Sequence, residues 1–142
     1  MKHILDTDHA TLYQQGHPAL GNHLANLPQS QIATTVVTYE EQIEGRLSLV
    51  RRARTREQRV QAHYWLQRTL GFFCRIPVLP LDEAAAAEFE RLRALKLRVG
   101  TQDLLIAAIA ITNKATLLTR NLRDFSRVPS LVVADWSLPL DE

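Results

Sequence analysis

Four acidic residues stand where the sequence predicts that a strand ends or a helix begins: Asp6, Glu41, Asp103 and Asp124. Carboxylates that gather in one place repel one another, because two charges at ~4 Å cost on the order of 4 kcal/mol at an effective dielectric constant of about 20. A fold that brings them together needs a compensating positive charge. A hard divalent cation such as Mg²⁺ fills that need, since it prefers oxygen ligands. The residue types therefore predict a metal site.

Each of these acids also has a purely structural interpretation. Asp6 follows a short apolar segment and is suited to cap the next helix, although Thr7 or Asp8 can serve as that cap instead. Asp103 stands two residues after a predicted cap at Thr101, where a negative charge suits the helix dipole. It also precedes a fully apolar helix, so its side chain leaves the core at a definite place.

The other two acids carry weaker local signals. Glu41 has Glu40 and Glu44 beside it, and glutamates early in a helix merely suit the dipole. Asp124 fits a turn in which Phe125 packs beneath it. Taken together, the four positions favour a shared site over four separate structural roles.

A cluster of arginines lies between residues 46 and 59. Six arginines and one acid, Glu57, occupy that stretch. Such a block suits a phosphate backbone, but a run of charge is also typical of a solvated helix face. An acidic metal site needs an anionic substrate brought to it, which favours contact with nucleic acid.

Composition indicates one soluble globular domain spanning residues 1–142, with 46% hydrophobic and 23% charged residues. No apolar run approaches the ~20 residues of a membrane span, and the N-terminal segment is too short for a secretory signal. The single cysteine, Cys74, excludes an intramolecular disulfide and is expected in the core. These features predict a cytoplasmic protein without membrane contact.

Other common site chemistries have no signature in the chain. The five histidines show no H-x₃-H or HExxH spacing, so a zinc site is not expected. Neither G-x-S-x-G, nor a P-loop, nor G-x-G-x-x-G is present. A phosphoacceptor domain also clusters aspartates around Mg²⁺, but the residues after Lys114 fit it poorly.

The elements that must position the acids alternate between strand and helix. Strands are predicted at residues 3–5, 31–35, 77–80, 115–119 and 131–134, and helices at 8–14, 18–27, 38–50, 55–73, from 82, at 101–113 and at 121–125. This alternation predicts an α/β fold with a mainly parallel central sheet flanked by helices on both faces. Ligands in such sheets bind beyond the carboxyl ends of the strands, where all four acids are then expected.

The same residues resemble a known family of nucleases. The order and spacing of four segments, with Val128-Pro129 and Trp136 behind them, resemble the motifs of PIN-domain nucleases: residues 4–8, 36–45, 100–108 and 117–125. In the second motif an acid precedes a glycine by four residues, which selects Glu41 over Glu40. Within the family, the chain is most similar to VapC-type toxins of bacterial type II toxin–antitoxin pairs.

The resemblance implies a PIN-like α/β/α sandwich and a Mg²⁺- or Mn²⁺-dependent endoribonuclease. Asp6 and Asp103 would ligate the ion directly, while Glu41 and Asp124 would act through water or a second ion. Four residues would support the site: Thr7 and Thr119 at its rim, Asn121 and Asp8. Asp8 and Arg120 depart from the family pattern, since many relatives carry asparagine at both places.

The resemblance also implies a substrate and partners. The substrate would be single-stranded or looped RNA, often transfer RNA, cut to leave 3′-hydroxyl and 5′-phosphate ends. Five arginines are the candidates for contact with the RNA backbone: Arg51, Arg52, Arg54, Arg56 and Arg59. A homodimer and a VapB-type antitoxin are expected, with Val50, Tyr64 and Leu66 as contact candidates. The alternative is a PIN-like module that binds nucleic acid without cutting it.

Overall fold

The chain alternates strands and helices along its whole described length, residues 2–139 in this computed structural model. The strands are β1 (His3–Leu5), β2 (Ile32–Thr35), β3 (Val78–Leu79), β4 (Thr116–Leu118) and β5 (Val132–Ala134). The helices are α1 (Thr7–Gln14), α2 (Pro18–Ala25), α3 (Val36–Arg52), α4 (Arg56–Arg75), α5 (Glu83–Ala94), α6 (Thr101–Thr112) and α7 (Leu122–Phe125). A short 3₁₀ turn, Gln29–Gln31, leads into β2.

The strands form a single sheet in the order β3-β2-β1-β4-β5, and every pairing between them is parallel. Strand β1 lies at the centre, paired with β2 on one side and β4 on the other. The predicted α/β fold with a mainly parallel sheet is confirmed. The assumed meeting of the strand ends at one edge follows from this topology.

Two apolar cores cover the two faces of the sheet, because successive side chains of a strand point to opposite faces. Ile4 of β1 packs in the core formed with α5 and α6. Its neighbour Leu5 packs in the other core, formed with α1, α2 and α4. The sheet is therefore the middle layer of an α/β/α sandwich.

Helix α6 is buried almost all round, as its sequence predicts. Residues 106 to 110 are at most 1% exposed, and five consecutive buried positions cover every side of a helix. The helix leads into β4 through a short turn, so its first residues lie at the carboxyl edge of the sheet. This placement brings Asp103 to that edge.

Cys74 is exposed, which contradicts the expectation that it belongs to the core. The buried pair Phe72 and Phe73 already occupies the inward side of α4. A third consecutive residue is turned about 100° further round the helix and so reaches solvent.

Among the described residues, no helix is both long and apolar enough to cross a membrane.

Candidate active site

The site lies at the carboxyl edge of the sheet, between β1 and β4. The chain runs from β1 outward to β2 and β3, and only later returns to the other side of β1 to form β4. The connections thus leave β1 and β4 in opposite directions and open a crevice at their ends, where ligands bind in open α/β sheets. Helices α1, α3, α6 and α7 all begin at this edge.

Asp6 is the buried member of the acidic group, with 6% of its surface exposed. It follows β1 directly and is the N-cap of α1, where its Oδ1 accepts a hydrogen bond of 2.8 Å from the backbone N–H of His9. The expectation that Thr7 or Asp8 provides this cap is wrong. Strand β1 ends one residue before Asp6, so Asp6 is the residue that still has extended backbone when the helix starts.

Glu41 projects from the second turn of α3 towards α1. The Thr7 hydroxyl donates a hydrogen bond of 2.7 Å to its Oε1. The neighbouring Glu40 is exposed and accepts a hydrogen bond from Gln102 instead. The contact with Thr7 therefore places Glu41, not Glu40, on the side of Asp6.

Asp103 lies half-buried in the first turn of α6, and the other acids of the group are close to it. The pKa of Asp103 is raised from 3.8 to about 6, first by burial and then by the negative charges of Glu41, Asp6, Asp124 and Asp8. Acids far apart in sequence are thus close enough to Asp103 to disfavour its ionisation. The predicted cap Thr101 is instead the first helical residue, since Gly100 is the N-cap.

Asp124 is held by the short helix α7. Its Oδ2 accepts a hydrogen bond of 3.1 Å from the Asn121 side chain, which also caps α7. Its Oδ1 accepts one of 3.3 Å from Arg127. Thr119 supports this turn from below: it is fully buried, not at the rim, and its Oγ1 accepts a hydrogen bond from the Asn121 N–H.

Asp8 stands at the edge of the group. It is exposed, and its charge is the smallest of the causes that raise the pKa of Asp103. The structure therefore brings all five predicted acids, with Thr7 and Asn121, to one end of the sheet.

The candidate arginines separate into different surroundings. All five are exposed. Arg51 lines a groove of about 480 Å³ that also contains Glu41, Gly45 and Ser48. Arg52 instead lines a groove between α3 and α4, next to Trp65. Of the arginine block, Arg51 is thus the member that shares a groove with an acid of the site.

Sequence reasoning passed over two residues that contact the acids and one that contacts Thr7. His9 is buried against Asp6, and Arg127 donates a hydrogen bond to Asp124. Gln42 donates hydrogen bonds to the Thr7 carbonyl and to Thr11, and accepts one from Gln14. His9 and Arg127 each stand three residues after an acid in a helical segment, a spacing that places two side chains on one helix face. That spacing is the signal that identifies them.

The donor set suits a hard cation that keeps part of its water shell. Within residues 2–139, no three acidic, histidine or cysteine side chains are close enough to ligate one ion together. Mg²⁺ is commonly held by one or two carboxylates and several waters, which needs no closed cage. Burial and the neighbouring acids both raise the pKa of Asp103, as expected where several carboxylates share one pocket.

Comparison with known proteins gives a consistent result along the chain. The family profile described as PIN domain matches residues 4–131. The chain is 32% identical over 141 residues to the tRNA(fMet)-specific endonuclease VapC of Shigella flexneri, covering 96% of this chain and 99% of the relative. It is 29% identical over 140 residues to the enzyme of that name from Salmonella typhimurium, covering 96% and 98%. The solved structure of DNA-bound VapBC from Salmonella typhimurium superposes with a TM-score of 0.76 at 26% identity, covering 96% of this chain and 98% of the other.

Proposed function

Since the chain belongs to the PIN domain family and to its VapC branch, we propose that it is a metal-dependent endoribonuclease, the toxin of a toxin–antitoxin pair. The observation that carries the proposal is the gathering of five acids from α1, α3, α6 and α7 at the carboxyl edge of the sheet, close enough for the other four to contribute to the raised pKa of Asp103. Such a concentration of negative charge is compatible with a stable fold when a divalent cation binds there.

The acids have two roles in this proposal. Asp6 and Asp103 would hold Mg²⁺ or Mn²⁺ directly, while Glu41 and Asp124 would act through water or a second ion. When bound, the ion would supply a water of lowered pKa and neutralise charge on the scissile phosphate. Thr7 fixes Glu41 through its 2.7 Å hydrogen bond.

The substrate we propose is single-stranded or looped RNA, with transfer RNA as the first to test because the relatives are named for it. Exposed bases in loops are the parts of RNA that proteins read most readily. The groove from Glu41 to Arg51 offers one cationic side chain to the RNA backbone near the acids. Such a substrate places the activity in the cytoplasm.

A VapB-type antitoxin is the proposed partner, since the similar solved structure is a VapBC assembly. On this chain, a groove of about 570 Å³ on α1 and α4 is lined by apolar and cationic side chains: Tyr13, Trp65, Arg68, Phe72 and Arg75. Tyr64 and Leu70 on α4 are also 49% and 55% exposed. An apolar segment with acidic residues complements this surface, and co-purification with the product of the adjacent reading frame tests it.

A homodimer is proposed on a second apolar surface, at the start of α3. A groove of about 530 Å³ there is lined by Val36, Tyr39, Leu81 and Leu105. Val36, Tyr39 and Leu81 are each more than a third exposed. Light scattering after gel filtration of the wild type and of Leu81→Arg tests this: the wild type elutes as a dimer, and the variant as a monomer.

The nuclease proposal is tested by incubating the purified chain with total RNA, with Mg²⁺ and then with EDTA. We expect the wild-type chain to cleave RNA when Mg²⁺ is present and not when EDTA removes it. Asp6→Asn and Asp103→Asn are expected to lose cleavage under both conditions. Glu90→Gln, which removes an exposed acid of α5, is the matched control and stays active. RNA binding without metal-dependent cleavage would instead identify a non-catalytic binding module.

A further inference from the structure

His9 is a polar residue with none of its surface exposed. It lies in the first turn of α1, and its Nδ1 is buried without a hydrogen-bond partner among the described residues. The nearest charged atom is Oδ1 of Asp6, 3.6 Å away. A buried polar atom without a partner is unfavourable, so its position facing an acid of the site calls for an explanation.

The other ring nitrogen of His9 contacts the chain after β5. The Trp136 N–H donates a hydrogen bond of 3.2 Å to Nε2. Oδ1 of Asp135 lies 3.6 Å from Nε2, but that oxygen already accepts a hydrogen bond of 2.8 Å from the Ser137 N–H. Nε2 is thus an acceptor, which places the proton of the ring on Nδ1. The Nδ1–H group therefore faces Asp6.

We propose that His9 is a positioning residue that orients the Asp6 carboxylate and connects it to the segment after β5. The inference rests on the proposed function, in which Asp6 is a metal ligand. Oδ1 of Asp6 accepts the hydrogen bond from the backbone N–H of His9, and it also faces Nδ1 of the His9 ring. The other oxygen, Oδ2, is then the one presented to the ion. Partners that orient a ligating carboxylate in this way affect metal affinity and activity by about 10- to 100-fold.

The segment after β5 is held firmly enough to serve as the other anchor. The Trp136 ring stacks on His23, with centroids 4.8 Å apart, and lies 4.7 Å from the ring of His3. His3 belongs to β1, the strand that ends next to Asp6. The Trp136 ring is therefore fixed to β1, which ends next to Asp6, and to α2. Its backbone N–H donates to Nε2 of His9 and so holds the His9 ring in place.

The two ring nitrogens are separable by substitution. The carboxamide of asparagine reaches about as far as Nδ1, whereas the longer glutamine reaches about as far as Nε2. His9→Asn thus retains a donor towards Asp6, and His9→Gln retains an acceptor for Trp136. His9→Leu removes both polar groups at similar volume. Circular dichroism of each metal-free variant establishes that it is folded.

Two measurements on these variants test the proposal. The first is the dissociation constant for Mn²⁺, measured by calorimetry. Steady-state RNA cleavage by the same variants gives their kcat and KM. We expect His9→Gln and His9→Leu to bind Mn²⁺ about 10- to 100-fold more weakly and to lose kcat, not KM. His9→Asn stays close to the wild type. The second is amide hydrogen exchange of Trp136 without metal, which is expected to speed up in His9→Asn and His9→Leu only.

The outcomes distinguish this inference from the function on which it rests. If Asp6→Asn is inactive while His9→Leu and His9→Gln bind Mn²⁺ like the wild type, the positioning role is overturned and the nuclease stands. If Asp6→Asn cleaves RNA at the wild-type rate, the proposed function fails and the role of His9 fails with it. Equal loss of Mn²⁺ affinity in all three variants also overturns the proposal, because it indicates a packing effect alone.

Discussion

At the scale of single residues, Asp103 shows how the pocket is tuned. Its carboxyl is half-buried at the start of α6 and surrounded by other acids, and both causes raise its pKa to about 6. The group is therefore more easily protonated in the folded protein than in the unfolded chain. Folding becomes less favourable as pH rises from about 3.8, where the unfolded carboxyl ionises, to about 6, where the folded one does.

We expect Asp103→Asn to stabilise the metal-free protein at pH 7.5 by about 1–2 kcal/mol, a value discounted for the solvent that reaches the site. The gain shrinks as pH falls below about 6 and is mostly gone at about 3.8, where the folded carboxyl is protonated and the unfolded one is half protonated. Thermal melts of the two proteins between pH 3.5 and 8 measure this difference. Glu90→Gln is the control for loss of one surface charge, and a pH-independent gain in Asp103→Asn would contradict the interpretation.

At the scale of elements, the site is built from the starts of four helices. Local signals in the sequence point to Asp6 and Asp103, because strand ends and cap residues can be read locally. Glu41 and Asp124 have weaker local signals, and the choice of Glu41 over Glu40 depends on the family resemblance. The contacts between elements are not local. The hydrogen bond from Thr7 to Glu41 joins residues 34 positions apart, and no spacing in the sequence predicts it. The same limit applies to His9, whose ring is oriented by Trp136 across 127 positions.

The link between α1 and α3 is tested by Thr7→Val, which keeps the shape of the side chain and removes its hydroxyl. We expect RNA cleavage to fall about 10- to 100-fold, because a hydrogen bond to a charged group is worth about 1.5–3 kcal/mol and Glu41 is released when it is lost. The cleavage rate at saturating RNA measures this effect. Thr7→Ser keeps the hydroxyl and is expected to retain most activity, so equal loss in both variants would rule out the hydrogen bond as the cause.

At the scale of the whole molecule, the sequence readily predicts the fold, but it does not predict which apolar side chains are exposed on the surface. Alternating strands and helices fix a parallel sheet, and the apolar α6 identifies the centre of the sandwich. Positions such as Val60 and Tyr64 fit a buried helix stripe in sequence, yet they are 66% and 49% exposed. Helix α4 instead buries Ala62 and Thr69 on its inward side, because the elements packed against it decide which side of the helix faces the core.

Metal binding is expected to stabilise the whole chain, because the acids come together only in the folded state. At about 100 times the dissociation constant, Mg²⁺ or Mn²⁺ should add roughly 2.7 kcal/mol. Melting temperatures with and without each ion measure this, and the gain should shrink as pH falls through about 6, where Asp103 takes up a proton. Asp6→Asn should not respond to the ions, and a wild type equally indifferent to them would count against the metal site.

The path of the RNA is tested by Arg51→Ala. Loss of one exposed cation in the groove with Glu41 is expected to raise KM for RNA about three- to fivefold with kcat unchanged, since an exposed charge pair contributes up to about 1 kcal/mol. The slope of log KM against log salt should fall by about 0.7, the value for one phosphate contact on a single strand. Arg93→Ala, at an exposed position of α5 outside the arginine block, is the matched control, and the same change in both would indicate a general effect of charge.

The wide spacing of the acids along the chain has a consequence during protein synthesis. The first acid emerges early, at Asp6, but the last comes from α7, and the Trp136 N–H that holds His9 comes later still. A nascent chain that stops short of α7 lacks both Asp124 and the edge strand β5, which pairs with β4. The complete acidic site, with its oriented His9 ring, can therefore assemble only when nearly the whole chain has been synthesised.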